Sequence, residues 1–185
     1  MPFLLSHSFA GTSVATVPFP RKVPNRIWWL AALCGAVPDF DYAWNVHGWD
    51  FRHVSAESWL GHRGLTHTPF FALVFATLMV WLAFRSVDRG TRVRIWVALF
   101  LATVSHGLLD GLSLSSPGIP FFFPLSTVRY HLPWRVIRAD PHGNGLLAVL
   151  LRSIRTELIW IWLPGAILLM LTALRRRLAS RAAVA

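Results

Sequence analysis

The chain is 185 residues long, 55% hydrophobic and only 14% charged, with a formal net charge of +10 and one cysteine. A charged fraction so far below the ~25% usual in soluble domains points to lipid, and arginines that flank apolar runs, with no basic face, argue against nucleic acid as the main partner. The lone Cys34 excludes an intrachain disulfide and a cysteine-based zinc site, so any metal falls to histidines and carboxylates.

In chain order, residues 3–17 are apolar with interspersed small and hydroxyl side chains. They lack a basic leader, and Ser6, His7 and Ser8 interrupt the run, so they read as a short helix and not as a signal peptide. Residues 27–37 (IWWLAALCGAV) form a second short apolar helix, which Pro38 should stop. Stronger runs follow at 69–84 (PFFALVFATLMVWLAF), 93–109 (VRIWVALFLATVSHGLL) and 158–174 (LIWIWLPGAILLMLTAL). Each is near the ~17–25 residues a helix needs to cross a bilayer. Thr68 is a good N-cap with Pro69 at the first helical position. Gly90 is expected in the turn between the first two strong runs, and Pro164 and Gly165 are tolerable inside a membrane helix. The expected fold is all-α, a multi-pass transmembrane bundle of three strong spans and two shorter apolar helices, in a single domain covering 1–185. Residues 126–157 are expected outside the membrane, and 158–178 as the C-terminal membrane helix.

Basic side chains gather in three short clusters beside helix ends: Arg21, Lys22 and Arg26; Arg85, Arg89, Arg92 and Arg94; Arg175, Arg176, Arg177 and Arg181. The positive-inside rule puts all three on the cytoplasmic side, with the C-terminus. The longer stretches 41–67 and 110–157 then face outward, and Trp44, Trp49, Trp59 and Trp134 within them suit an interfacial belt.

The polar residues that remain are His7, Asp39, Asp41, His62, His67, His106 and Asp110. At 1.5 Å per helical residue, His7 lies about 21 Å from Arg21, Asp39 about 20 Å from Arg26, and His106 and Asp110 about 18–24 Å from Arg94. His67 lies about 27 Å from Arg85 on the same measure. Segments distant in sequence therefore lift His or Asp to one level, toward the outer face. His106 and Asp110 share a helical face one turn apart. Asp39 and Asp41 follow the stop at Pro38. His62 and His67 bracket a tight loop in which Gly64 should supply backbone freedom. Neutral imidazoles with carboxylates suit zinc, with manganese or iron as alternatives, in one or two ions.

Each residue also has a plainer reading. His106 and Asp110 would make a buried hydrogen-bonded pair, and Asp39 and Asp41 a turn cap. His62 and His67 would be interfacial loop residues, and His7 a helix-packing contact. Arg63 is a candidate for holding a phosphate, or for pairing with a nearby Asp. His47, His53, His131 and His142 lack partner spacing and are expected not to be ligands. Glu57 and Glu157 are too isolated to assign.

Together, the early His7, the Val-Pro-Asp-Phe-Asp run at 37–41, the His-Arg-Gly-Leu-Thr-His-Thr run at 62–68 and His106-Gly-Leu-Leu-Asp110 resemble the YdjM-type family of bacterial inner-membrane proteins, described as membrane-bound metal-dependent hydrolases. The resemblance covers roughly residues 5 to 125; beyond 126 only hydropathy guides the reading. The family in turn is similar to zinc-dependent phospholipase C and P1-type nucleases, which implies a phosphoester substrate. A divalent ion held here would lower the pKa of its water to about 7, with Asp39 or Asp41 as the alternative general base and Arg63 steadying phosphate. The expected partners are membrane lipids, with a phospholipid or lipid-linked phosphate as substrate. The competing expectation is a non-enzymatic membrane protein, either a metal or proton transporter or a structural subunit with a vestigial site. A transporter should carry polar groups near mid-membrane, whereas here they crowd one end.

Overall fold

The computed structural model of the chain describes residues 2–41, 58–138 and 146–182, without the side chains of 146–150 and 152. Trp44, Trp49, His47, His53, Glu57 and His142 lie outside the described residues. Those described form helices joined by turns, with isolated bridges at Ser113–Ile137 and Ile119–Tyr130 and no strands. The helices are α1 (Leu4–Ala15), α2 (Asn25–Ala36), α3 (Pro69–Ala83), α4 (Arg89–Gly111), α5 (Leu146–Glu157) and α6 (Leu163–Ala182). A π-helical turn, Leu158–Trp162, joins the last two into one rod. Pro164 has no N–H to return to the carbonyl four residues earlier, and the ladder is loosened in the turn just before it.

Helix ends follow local chemistry. Thr68 caps α3 as expected, its Oγ1 accepting from Phe71 N at 3.0 Å, with Pro69 in the first turn. Pro38 falls in a 3-10 turn, Val37–Phe40, which ends α2 at Ala36. Gly90 is not in a turn. Asp88 accepts from Thr91 N at 3.0 Å, and this cap starts α4 four residues before the apolar run. Within the stretch 126–157, expected outside the membrane, residues 146–157 form helix α5.

Of the three strong spans expected, two are long and apolar enough to cross a bilayer: α4, with 23 residues, and Ser153–Ala182, with 30. The run at 69–84 falls short. Its helix has 15 residues because the chain leaves helical geometry at Phe84 (φ −133°), and it reaches only about 22 Å against a hydrocarbon core of ~30 Å. α1 and α2 are shorter still, at 12 residues each.

α1 packs against α2, α4 and α6, and α3 packs against α4. The core is built from small residues, Ala31, Ala76, Ala98 and Ala102, with Ile27, Ile95 and Leu99 between them. Small side chains let helices approach closely where apolar surroundings give no hydrophobic drive to associate. The large apolar residues face outward: Trp81 and Leu82 of α3, and Leu163, Met170 and Leu171 of α6, are all more than half exposed. A continuous apolar exterior of this kind fits lipid. Phe19 and Val23, beside the first basic cluster, share the core with Phe84 and Ile95, beside the second. Arg175, from the third, donates to the carbonyls of Val17 and Phe19. The three clusters therefore occupy one end of the bundle.

Candidate metal centre

At the other end, α1 contributes His7 from its first half, α4 contributes His106 and Asp110 from its last turns, and the 3-10 turn after α2 contributes Asp39. A second 3-10 turn, Leu65–His67, places His67 just before the cap of α3. His7, His67, His106 and Asp110 are essentially inaccessible.

Close backbone approach makes this convergence possible. A Cβ on Gly107 would stand 2.1 Å from the carbonyl oxygen of His67, and one on Gly35 would stand 2.5 Å from that of His7. Alanine at either position has no room, so Gly107→Ala and Gly35→Ala should each lower thermal stability by at least the ~1–3 kcal/mol of ordinary overpacking. Gly90→Ala meets only the Asp88 side chain at 3.3 Å and should leave the melting temperature nearly unchanged. A thermal melt of the three purified variants checks this, and equal melting temperatures would refute it.

Hydrogen bonds fix the tautomers. His106 Nδ1 lies 2.7 Å from the carbonyl oxygen of Gly35, which only accepts, so Nδ1 carries the proton and Nε2 is bare. Thr66 donates its one hydroxyl proton to Asp41 at 2.6 Å, so towards His67 Nδ1, 3.0 Å away, it can only accept. His67 therefore also carries its proton on Nδ1 and points Nε2 inward. The two Nε2 atoms face each other at 3.1 Å. Two bare lone pairs at that distance repel unless a positive charge lies between them, either a proton or a metal ion.

Carboxylates surround that point. Asp39 Oδ1 is 3.3 Å from His106 Nε2 and 3.6 Å from His67 Nε2, and Asp110 Oδ2 is 3.5 Å from His67 Nε2. A tetrahedral N/O site with bonds of about 2.0–2.1 Å has edges of roughly 3.3–3.4 Å, which is the spacing seen here. One atom from each of Asp39, His67, His106 and Asp110 lies within 4.8 Å of the others. His7 stacks on His106 with ring centroids 3.7 Å apart, its Nε2 3.6 Å from Asp110 Oδ1. Both His7 nitrogens, Asp39 Oδ1 and Asp110 Oδ1 are buried without a hydrogen-bond partner among the described residues. Buried polar atoms are rarely left so, and an ion would satisfy them together.

Without an ion the proton takes this place. Burial opposes charge on His67, but the carboxylates of Asp110, Asp39 and Asp41 around it outweigh burial and raise the imidazole to about 10. Burial also works to raise Asp39, yet the His106 and His67 imidazoles beside it hold it well below the ordinary carboxylate range. A metal entering the cluster would displace the His67 proton.

A second donor group, Asp41, His62 and His67, adjoins the first. Asp41 accepts from His62 Nδ1 at 2.7 Å, from Thr66 and from the backbone of Arg63. These bonds orient the carboxylate beside His67 Nδ1, 3.3 Å away, so Asp41 can fix the His67 ring as well as hold an ion. All the histidines and aspartates singled out in the sequence thus meet in one cluster. Arg63 meets them differently: its side chain is 5% exposed and its Nε donates to Asp110 at 2.8 Å. Of its two sequence readings, pairing with Asp is the one seen. Arg63 is also the left-handed residue of the loop (φ 62°), where Gly64 was expected to serve.

Comparison with known proteins places this cluster in context. The chain matches the family described as YdjM inner membrane protein over residues 1–182. This chain belongs to the YdjM family. The family match extends well past residue 125, so the C-terminal helix is part of it. Inner membrane protein YbcI of Escherichia coli (strain K12) is 29% identical to this YdjM-family chain over 179 residues, covering 96% of the chain and all of YbcI. No solved structure matches.

His131 stays out of the cluster, its Nε2 2.9 Å from the Ser116 carbonyl oxygen. Sequence reasoning missed Arg129, which donates to the carbonyls of Ser58, Arg63 and Gly118 and ties together the loops over the site. It also missed Glu157, buried on α5, which accepts from Phe3 N and Ser6 Oγ and anchors the start of α1. Neither has a spacing signal, because Arg129 reaches Ser58 and Arg63 across more than 60 residues of sequence and Glu157 reaches α1 across more than 150.

Proposed function

We propose that this YdjM-family chain is a multi-pass inner-membrane hydrolase that uses a divalent metal, best matched by zinc, to cleave a phosphoester carried by a lipid. The observation that carries the metal reading is the convergence of the His67 and His106 Nε2 atoms, 3.1 Å apart, with Asp39 and Asp110, two of whose buried oxygens have no hydrogen-bond partner among the described residues. A bound divalent ion supplies Lewis acidity, which polarises a phosphoryl oxygen and acidifies water. The chain's own residues do the rest. Arg63 holds Asp110 in register, and Asp41 with Thr66 holds His67. Asp39, whose side chain is 8% exposed against 0% for His7, His106 and Asp110, is the carboxylate of this group nearest solvent, on the side from which substrate and water would enter. Exposed Phe40, Trp59, Phe122, Leu125 and Trp134 surround this end, which suits a site at headgroup depth.

Burial of the donors supports a second reading, in which the ion is structural and clamps α1, α4 and the two 3-10 turns together. Two measurements separate the readings. Both expect metal in the purified protein, but only the first expects phosphate or headgroup release that a chelator abolishes.

The basic clusters, gathered at one end, support an orientation with that end and the C-terminus cytoplasmic and the His/Asp cluster outward. In a Cys34→Ala background, Ser58→Cys should react with an impermeant thiol reagent in intact spheroplasts, and Ser86→Cys only after lysis. Labelling of Ser86→Cys in intact spheroplasts would reverse the orientation.

A further inference from the structure

The end of the bundle opposite the His/Asp cluster holds a second site. Arg21 and Lys22, from the α1–α2 connection, and Arg176, Arg177 and Arg181, from α6, line one cavity of about 490 Å³ with Ala173 and Ser180. No carboxylate lines it. That size is within the range of small-ligand sites. Neighbouring arginines serve the fold: Arg175 donates to the carbonyls of Val17 and Phe19 at 2.7 and 3.0 Å, and Arg176 reaches that of Thr16 at 3.4 Å. These bonds satisfy carbonyls of the turn that follows α1 and hold α6 against it. Arg21, Lys22, Arg177 and Arg181, by contrast, make no hydrogen bond or ion pair to the protein among the described residues. So many cations around one concavity repel each other until an anion enters.

Beyond the cavity, α6 also exposes apolar side chains. Met170, Leu171, Leu174 and Leu178, on the same helix, are 63%, 53%, 51% and 56% exposed. A soluble anion would use only the charges, whereas a phospholipid would use both, with its phosphate among the arginines and its acyl chains along α6. We infer that this cavity binds the headgroup of an anionic phospholipid from the leaflet on its side of the membrane. Basic pockets beside membrane helices recognise such headgroups through charge-assisted hydrogen bonds. The inference rests on the membrane placement proposed above and is independent of the metal.

The test is native mass spectrometry of the full, delipidated chain in detergent, titrated with phosphatidylglycerol and with phosphatidylcholine. Phosphatidylglycerol should bind about ten-fold more tightly, and Arg177→Gln/Arg181→Gln should remove most of that preference. Arg21→Gln/Lys22→Gln, on the opposite wall, should do the same. Arg89→Gln/Arg94→Gln, which removes as much charge elsewhere at that end, should leave it intact. Equal loss in all three double variants would reduce the effect to bulk charge and overturn the site. An unchanged preference in both cavity variants would overturn it as well. Displacement of phosphatidylglycerol by millimolar inorganic phosphate would show a soluble-anion site in place of a lipid site.

Discussion

Asp110→Asn and His106→Ala should each weaken metal binding by at least about 100-fold, while His131→Ala leaves it unchanged. Loss of an orienting partner alone typically costs 10–100-fold in metal affinity, and loss of a ligand should cost no less. Asp110 offers Oδ2 at 3.5 Å from His67 Nε2, and His106 offers one of the two bare Nε2 atoms. His131 is bonded to a carbonyl away from the cluster. Asparagine is the better replacement at 110, because it keeps an acceptor for Arg63 Nε. Asp110→Ala would strand a buried guanidinium, and breaking a buried pair from one side costs about 3–5 kcal/mol. Elemental analysis of detergent-purified protein, followed by competition with a chelator of known affinity, gives the comparison. Equal metal content in all three proteins would remove His106 and Asp110 from the metal set.

Hydrolysis is the second large effect expected. Purified, metal-loaded protein should release phosphate or headgroup from a lipid-borne phosphoester. Asp39→Asn and His67→Ala should cut the rate by about 100-fold or more, the scale of losing a positioned acid–base group or a metal's electrostatic stabilisation. The loss should fall on kcat more than on KM, since both groups act on charge that develops in the transition state. Arg63→Lys makes a useful contrast. The shorter, non-planar cation cannot reproduce the Nε contact with Asp110 together with the Nη1 contact to the Ser115 carbonyl, so it should lower metal affinity along with rate. Turnover that survives both chelator and Asp39→Asn would belong to a contaminant or another site. No turnover on any phospholipid, lipid pyrophosphate or nucleotide, from protein proven to hold metal, would leave the structural-ion reading standing.

The sequence by itself determined the all-helical class, the apolar exterior and the common level of the His and Asp residues, because these follow from quantities fixed along the chain. Helical rise is constant, so distances from Arg21, Arg26, Arg85 and Arg94 to the polar residues could be measured in residues. The Thr68-Pro69 cap and the stop near Pro38 are local backbone chemistry and were legible for the same reason. The tertiary structure decided what depends on contacts between segments. It made His7, ambiguous in sequence, a member of the cluster, because Gly35 admits the His7 backbone. It assigned Arg63 to Asp110, 47 residues away, a pairing no local pattern encodes. It shortened the helix at 69–84, whose composition reads as a full span but whose geometry ends at Phe84. It also set which imidazole nitrogens face inward, since the Gly35 carbonyl and the Thr66 hydroxyl choose the tautomers only once the helices have packed.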